Sequence, residues 1–178
     1  MSTKPFEIDS DAISQGILSD EYGINNQKDQ LEGVPTVSFP LFWKNPPTGT
    51  ASFSLVFEDF DNVEDEGVPW IHWLVTDIPV ENSGLEKNAS RTNSKLIQGK
   101  NSWALPYGPY VGISQDVICH YGGPAPGRPH EYECTMFALD SMLDLKAGFY
   151  LNQLRKAMDG HVLAKATLKM EYYPNTTE

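Results

Sequence analysis

Residues 121–139 read YGGPAPGRPHEYECTMFAL. The first nine combine three glycines with three prolines, and such a segment cannot continue a helix or lie in the middle of a sheet. Proline fixes φ and has no amide to donate, while glycine gives up backbone order. From Glu131 to Leu139 the pattern changes to alternation, with Tyr132, Cys134, Met136 and Ala138 on one side, as in a strand with one face inward. His130 and Tyr132 are two residues apart, so in a strand they share a side and Glu131 faces away from them.

The same period of two recurs on either side. Residues 51–58 (ASFSLVFE) place Phe53, Leu55 and Phe57 on one face. Residues 70–78 (WIHWLVTDI) are dense in aromatic and β-branched side chains and stop at Pro79. Residues 163–173 (LAKATLKMEYY) form a last alternating strand. An apolar run at 37–43 is closed by Pro46-Pro47-Thr48-Gly49, and residues 4–8 suit an edge strand because Pro5 cannot donate to a ladder. One helix is expected at about 150–158, where Leu151, Leu154 and Met158 recur at helical spacing before Gly160. The polar stretch 82–101 reads as a long surface loop. Residues 102–117 show no period. These elements predict a mainly β chain, a sandwich or barrel core with a few peripheral helices.

A chain of 178 residues fits one domain, residues 1–178, large enough to fold without disulfides or metal. Its hydrophobic fraction of 40% against 21% charged is that of a globular protein. The net charge of −11 repels phosphate backbones and anionic lipid surfaces, which makes nucleic acid and membrane poor partners. Much of the acidity lies in Glu58, Asp59, Asp61, Glu64, Asp65 and Glu66, which read mainly as a solvated loop. No run approaches the roughly 18 apolar residues of a membrane span, and the N-terminal residues lack an apolar core for secretion, so a cytoplasmic location is the expectation. Cys119 and Cys134 have no zinc-site spacing and are expected as buried free thiols. No metal or cofactor is implied.

Four segments carry unusual polar residues beside strands: Asp59-Phe60-Asp61, His72 within its aromatic strand, the loop from Gly122 to Gly127, and His130-Glu131-Tyr132. Taken singly, each has an ordinary structural role: a capping carboxylate, a core histidine, a turn, a strand start. Together they suit a small anion. Glycine lets backbone amides approach, prolines stiffen the loop, two imidazoles and a phenol supply donors, and a carboxylate orients an imidazole or holds a ligand's ammonium.

In this order the segments resemble the phosphatidylethanolamine-binding protein family, also called the Raf kinase inhibitor protein family. Asp59-Phe60-Asp61 is similar to its D-P-D-x-P motif, and residues 121–132 to its G-x-P-x-G…H-R-Y motif. Ala138-Leu139-Asp140 is similar to the A-L-D that closes the family's next strand, and Gly160-His161-Val162-Leu163-Ala164 resembles the entry to the last strand in its bacterial and archaeal branch. The resemblance covers about residues 35–173. It implies a β-sandwich of two antiparallel sheets and an anion pocket lined by Asp59, His72, Gly123, Pro124, His130 and Tyr132. It also implies a ligand such as phosphate or phosphorylethanolamine, with a kinase or protease as a protein target and a homodimer as an assembly. Phe60 and Val63 stand where the family has prolines, and Glu131 where it has arginine. The segment 114–120 is an insertion that brings His120 towards the rim.

Three functions are open on these grounds: ligand binding or regulation without catalysis, hydrolysis of a phosphoester or ester by a His/Asp pair, and a protein-interaction module with a vestigial pocket. The chain has no G-x-S-x-G elbow and no metal-ligand cluster, which favours binding.

Overall fold

The computed structural model describes residues 4–175. Its frame is four long strands: β3 (Ser52–Asp59), β4 (Trp70–Pro79), β7 (His130–Leu139) and β8 (Val162–Tyr172). They lie in the order β4-β3-β7-β8, every pair antiparallel. The short β6 (Ile97–Gln98) extends one edge, and the hairpin of Ile13–Ser14 and Ile17–Leu18 extends the other, giving seven strands. The contact of Ile17 with β8 is parallel. A second, antiparallel sheet has three short strands, β1 (Glu7–Asp9), β2 (Leu41–Lys44) and β5 (Gly84–Leu85), with β2 in the middle. The protein is therefore mainly β, as its patterning predicts.

The main core lies between the sheets. Phe53, Leu55 and Phe57 of β3, Tyr132, Cys134 and Met136 of β7, and Trp73 and Val75 of β4 pack there with Phe39, Leu41 and Trp43. Alternation predicts one buried face for β3, yet all eight of its residues are buried. The helix α2 (Leu151–Met158) is the cause. Its Leu154 and Met158 cover the other face of the sheet against Val56, Leu74 and Leu139. Ser54 is tolerated there because its hydroxyl pairs with that of Thr76 at 2.9 Å. The helix begins where the Tyr150 amide donates to Gln153 Oε1 at 2.8 Å, and Gly160 takes the left-handed φ of +78° just beyond its end.

Three sequence expectations are corrected. Residues 82–101 are not a surface loop. They contain β5, β6 and a short helix, Ala89–Thr92, and bury Leu85, Ala89, Ser90, Gln98 and Asn101. Their polarity serves internal bonds: Gln98 Oε1 accepts from Trp73 Nε1 and from Ser90 Oγ, each at 2.7 Å, and Asn101 Nδ2 donates to the carbonyls of Val117 and His120. The acidic run is not simply solvated, because Glu58 and Asp59 are buried at the end of β3, Asp61 precedes the helix α1 (Asn62–Glu66), and Glu64, Asp65 and Glu66 lie within it. Of the two free cysteines only Cys134 is fully buried; Cys119 ends a short surface helix and is half-buried. Among the described residues no helix is long and apolar enough to cross a membrane.

Candidate functional site

Two adjacent residues of β4, His72 and Trp73, both turn inward, which an ideal strand forbids. A β-bulge makes this possible. The register steps from Phe57 opposite Trp73 to Glu58 opposite Ile71, leaving His72 as the extra residue. The His72 ring then packs against Phe57, Tyr132 and Trp103, with centroids 5.2–5.5 Å away.

His72 Nδ1 donates to the Gly122 carbonyl at 2.7 Å. Burial drives its pKa down to about 4, against a raising influence from Asp59, so the ring is neutral at pH 7. Since Nδ1 holds the only ring proton, Nε2 is a bare acceptor, and it is buried without a partner. Tyr132 stands opposite Asp59 in the β3–β7 ladder. Its hydroxyl is also buried and makes no well-formed hydrogen bond, although the Asp59 carboxylate is near enough to draw on its proton; burial, then the charge and hydrogen-bonding pull of Asp59, push its pKa well above the usual tyrosine range. It stays a neutral phenol.

Asp59 ends β3. One oxygen accepts the amide of Asn62, the first residue of α1, at 3.0 Å; the other lies 2.8 Å from His130 Nδ1. The second nitrogen of His130, Nε2, is 2.8 Å from Asp65 Oδ2 on α1. His130 is thus clamped between two carboxylates, and the imidazolium form has a donor for each. Asp65 also reaches Arg128 Nε at 3.3 Å through its other oxygen, and Arg128 Nη2 binds Glu64 at 3.1 Å. Desolvation would raise the Asp65 pKa, but hydrogen bonds and charge from Arg128 and His130 prevail and hold it below the ordinary carboxylate value.

These groups surround a cavity of about 620 Å³. Asp59, His72, His130 and Tyr132 form its inner end. Asn62, Asp65 and Glu66 come from α1, Trp70, Trp103 and Tyr110 form an aromatic side, and Ala125–Arg128 form the opposing loop. Trp70 meets Trp103 edge-on at 5.1 Å, and Tyr110 lies 5.1 Å from Trp70. The Tyr110 hydroxyl donates to Glu66 at 2.9 Å, tying the aromatic side to α1; burial and then Glu66 push its pKa up to about 12. Among the described residues no three His, Cys, Asp or Glu side chains converge as metal ligands would.

Four of the six residues singled out in the sequence therefore meet at one cavity. Gly123 and Pro124 do not line it. The Gly123 amide donates to Pro35 O at 2.9 Å, and the Pro124 carbonyl accepts from Ile24 at 2.8 Å. The Gly122 amide is likewise held by His72 O at 3.0 Å. The glycines serve packing rather than a ligand: a Cβ on Gly123 would stand 2.2 Å from Tyr22 O. His120 lies outside the lining residues, and Phe60 and Val63 are exposed away from them. Glu131 points outward to Lys169 at 2.8 Å, as alternation predicts.

Sequence reasoning reached Asp65 and Glu66 only as members of an acidic run, some of whose carboxylates could line a site, and it missed Arg128 and the aromatic side. The one signal for Arg128 was its position as the single cation of the Gly/Pro loop, two residues before His130. Trp103 and Tyr110 lie in the stretch without period, where nothing in sequence aims them.

The fold is that of a mainly β protein with a cavity at one end of its main sheet. Comparison with known proteins gives the family: the phosphatidylethanolamine-binding protein model matches residues 9–173. The chain belongs to that family. YxkA, an uncharacterized protein of Bacillus subtilis, is 38% identical over 157 residues, covering 86% of this chain and 92% of its own. A UPF0098 protein of Methanothermobacter thermautotrophicus is 32% identical over 74% of this chain and 80% of its own. Among solved structures, Chlamydia trachomatis CT736, described as a phosphatidylethanolamine-binding protein homolog, superposes with a TM-score of 0.75. It is 27% identical and aligned over 98% of this chain and 100% of its own. Escherichia coli YbcL, described as a member of the mammalian family, shares the fold with the same TM-score at 21% identity, over 97% of this chain and all of its own.

Proposed function

We propose that the protein binds a small ligand through an oxyanion group, a phosphate or phosphomonoester, held by His72 and Tyr132. The observation behind this reading is the pair of buried, unpartnered atoms, His72 Nε2 and Tyr132 Oη, at the inner end of one cavity. Leaving such atoms unpaired costs about 1–3 kcal/mol each, so a ligand that satisfies both recovers that penalty. His72 Nε2 accepts and Tyr132 Oη donates. A phosphate monoanion matches both roles: its P–OH donates to the imidazole while a P–O⁻ accepts from the phenol. The ester substituent then lies along Trp70, Trp103 and Tyr110, a surface suited to an apolar or cationic group.

The hydrolase alternative has less support. Asp59 contacts His130 rather than His72, and both His130 nitrogens face carboxylates. His72 is oriented by a carbonyl, and with a pKa of about 4 it is a weak base at neutral pH. Binding without turnover follows as the preferred reading.

Isothermal titration with inorganic phosphate tests it. The expectation is saturable binding that weakens at least tenfold in His72→Ala and in Tyr132→Phe. Binding left unchanged by both substitutions removes these two atoms from the site and with them the reading.

A further inference from the structure

The cavity has an oddity for an anion site. Three carboxylates, Asp59, Asp65 and Glu66, line it against one guanidinium, Arg128, and the His130 imidazole. Those two groups are already taken, and Asp65 takes both: Oδ2 lies 2.8 Å from His130 Nε2 and Oδ1 3.3 Å from Arg128 Nε. An imidazole nitrogen and a guanidinium edge are the partners an incoming oxyanion would seek. In the same cavity, His72 Nε2 and Tyr132 Oη make no well-formed hydrogen bond, in residues that are 3% and 0% exposed.

We propose that Asp65 sets the anion affinity of the cavity: its carboxylate, carried on α1, occupies the place of a ligand oxyanion between His130 and Arg128, and the ligand binds by displacing it. This rests on the oxyanion reading of the cavity. The carrier suits the role. α1 is five residues long and buries none of them, so moving it or turning Asp65 out loses little apolar contact. Its first amide, that of Asn62, is held by Asp59, and it ends at Gly67 with a φ of +80°. Its remaining ties are polar: Asn62 Nδ2 to Val68 O, Glu64 to Arg128, and Glu66 to the Tyr110 hydroxyl. The Asp65 side chain is already 38% exposed, so it can return to water while the ligand takes its partners. A ligand entering without that exchange would sit against a like charge.

Phosphate titration of the full chain and three variants tests the inference. Asp65→Asn and Asp65→Ala should bind inorganic phosphate at least tenfold more tightly than the parent. Glu64→Gln loses the same charge from the same helix but leaves Asp65 on His130 and on Arg128 Nε, and Glu64 does not line the cavity; its affinity should stay within twofold. In the parent, saturating phosphate should speed amide hydrogen exchange across residues 62–66. If the parent binds phosphate and both Asp65 variants bind it equally or more weakly, Asp65 is a structural pin and the inference falls while the oxyanion reading stands. An equal gain in Glu64→Gln reduces the effect to net charge and also overturns it. If neither the parent nor the Asp65 variants bind, the oxyanion reading and this inference fall together.

Discussion

His72 Nδ1 donates to the Gly122 carbonyl at 2.7 Å, and this bond leaves Nε2 as the unpartnered nitrogen at the cavity. It joins the bulge of β4 to the Gly/Pro loop and fixes the tautomer of a buried ring. Carbonyl oxygen can only accept, so the proton resides on Nδ1.

The same burial makes His72 a source of acid sensitivity. Its folded pKa of about 4 lies below the ordinary 6.5. Between those values the unfolded chain takes up a proton that the folded chain refuses. The stability linked to His72 is therefore complete above about pH 6.5 and is lost as pH falls towards 4, by roughly 2 kcal/mol at pH 5. Urea denaturation from pH 7.5 to 5 should show this loss in the parent and a flatter profile in His72→Gln.

Gly123 should tolerate no side chain. A Cβ there would meet Tyr22 O at 2.2 Å and Pro35 Cβ at 2.9 Å, both on packed segments. Gly123→Ala is expected to cost about 2 kcal/mol or more through backbone displacement. Gly127→Ala, with nothing within 4 Å, should stay within about 0.5 kcal/mol. Equal midpoints for the two variants in denaturant would show that Gly123 is not the tight contact.

Gln98 connects β6 to the core through three buried bonds, accepting from Trp73 and Ser90 Oγ and donating to Ser90 O at 3.0 Å. Gln98→Ala strands the Trp73 and Ser90 donors. A loss of about 2–4 kcal/mol is expected in chemical denaturation, well above a surface substitution.

The two thiols should differ in reactivity. Burial raises the pKa of both, far more for Cys134 on the fully buried side of β7 than for the half-buried Cys119. A thiol reagent should titrate one cysteine slowly in the native protein and both in denaturant. Two fast-reacting native thiols would contradict the packing of β7.

β3 and β7 were legible because each keeps its inward set at every second residue, Phe53, Leu55 and Phe57 in one and Tyr132, Cys134 and Met136 in the other; β4, whose bulge breaks the alternation, was legible from its aromatic and β-branched residues. Residues 82–101 were not legible because Ser90, Gln98 and Asn101 are polar yet buried. Sequence records a side chain's chemistry but not whether a partner waits for it inside. The candidate site divides the same way. Asp59, His72, His130 and Tyr132 stood out as polar residues within or at the ends of apolar strands. Asp65 resembled the solvated acids around it.

The sequence by itself determined the mainly β class, the helix at 151–158 and four of the cavity's residues, since all of these depend on local periodicity or local order along the chain. Tertiary structure alone decided the rest. It placed the bulge that turns His72 inward, engaged the amides of Gly122 and Gly123 elsewhere, and laid Asp65 between His130 and Arg128. Each of these depends on which distant backbone or charge comes within about 3 Å, a distance that only the packed chain sets.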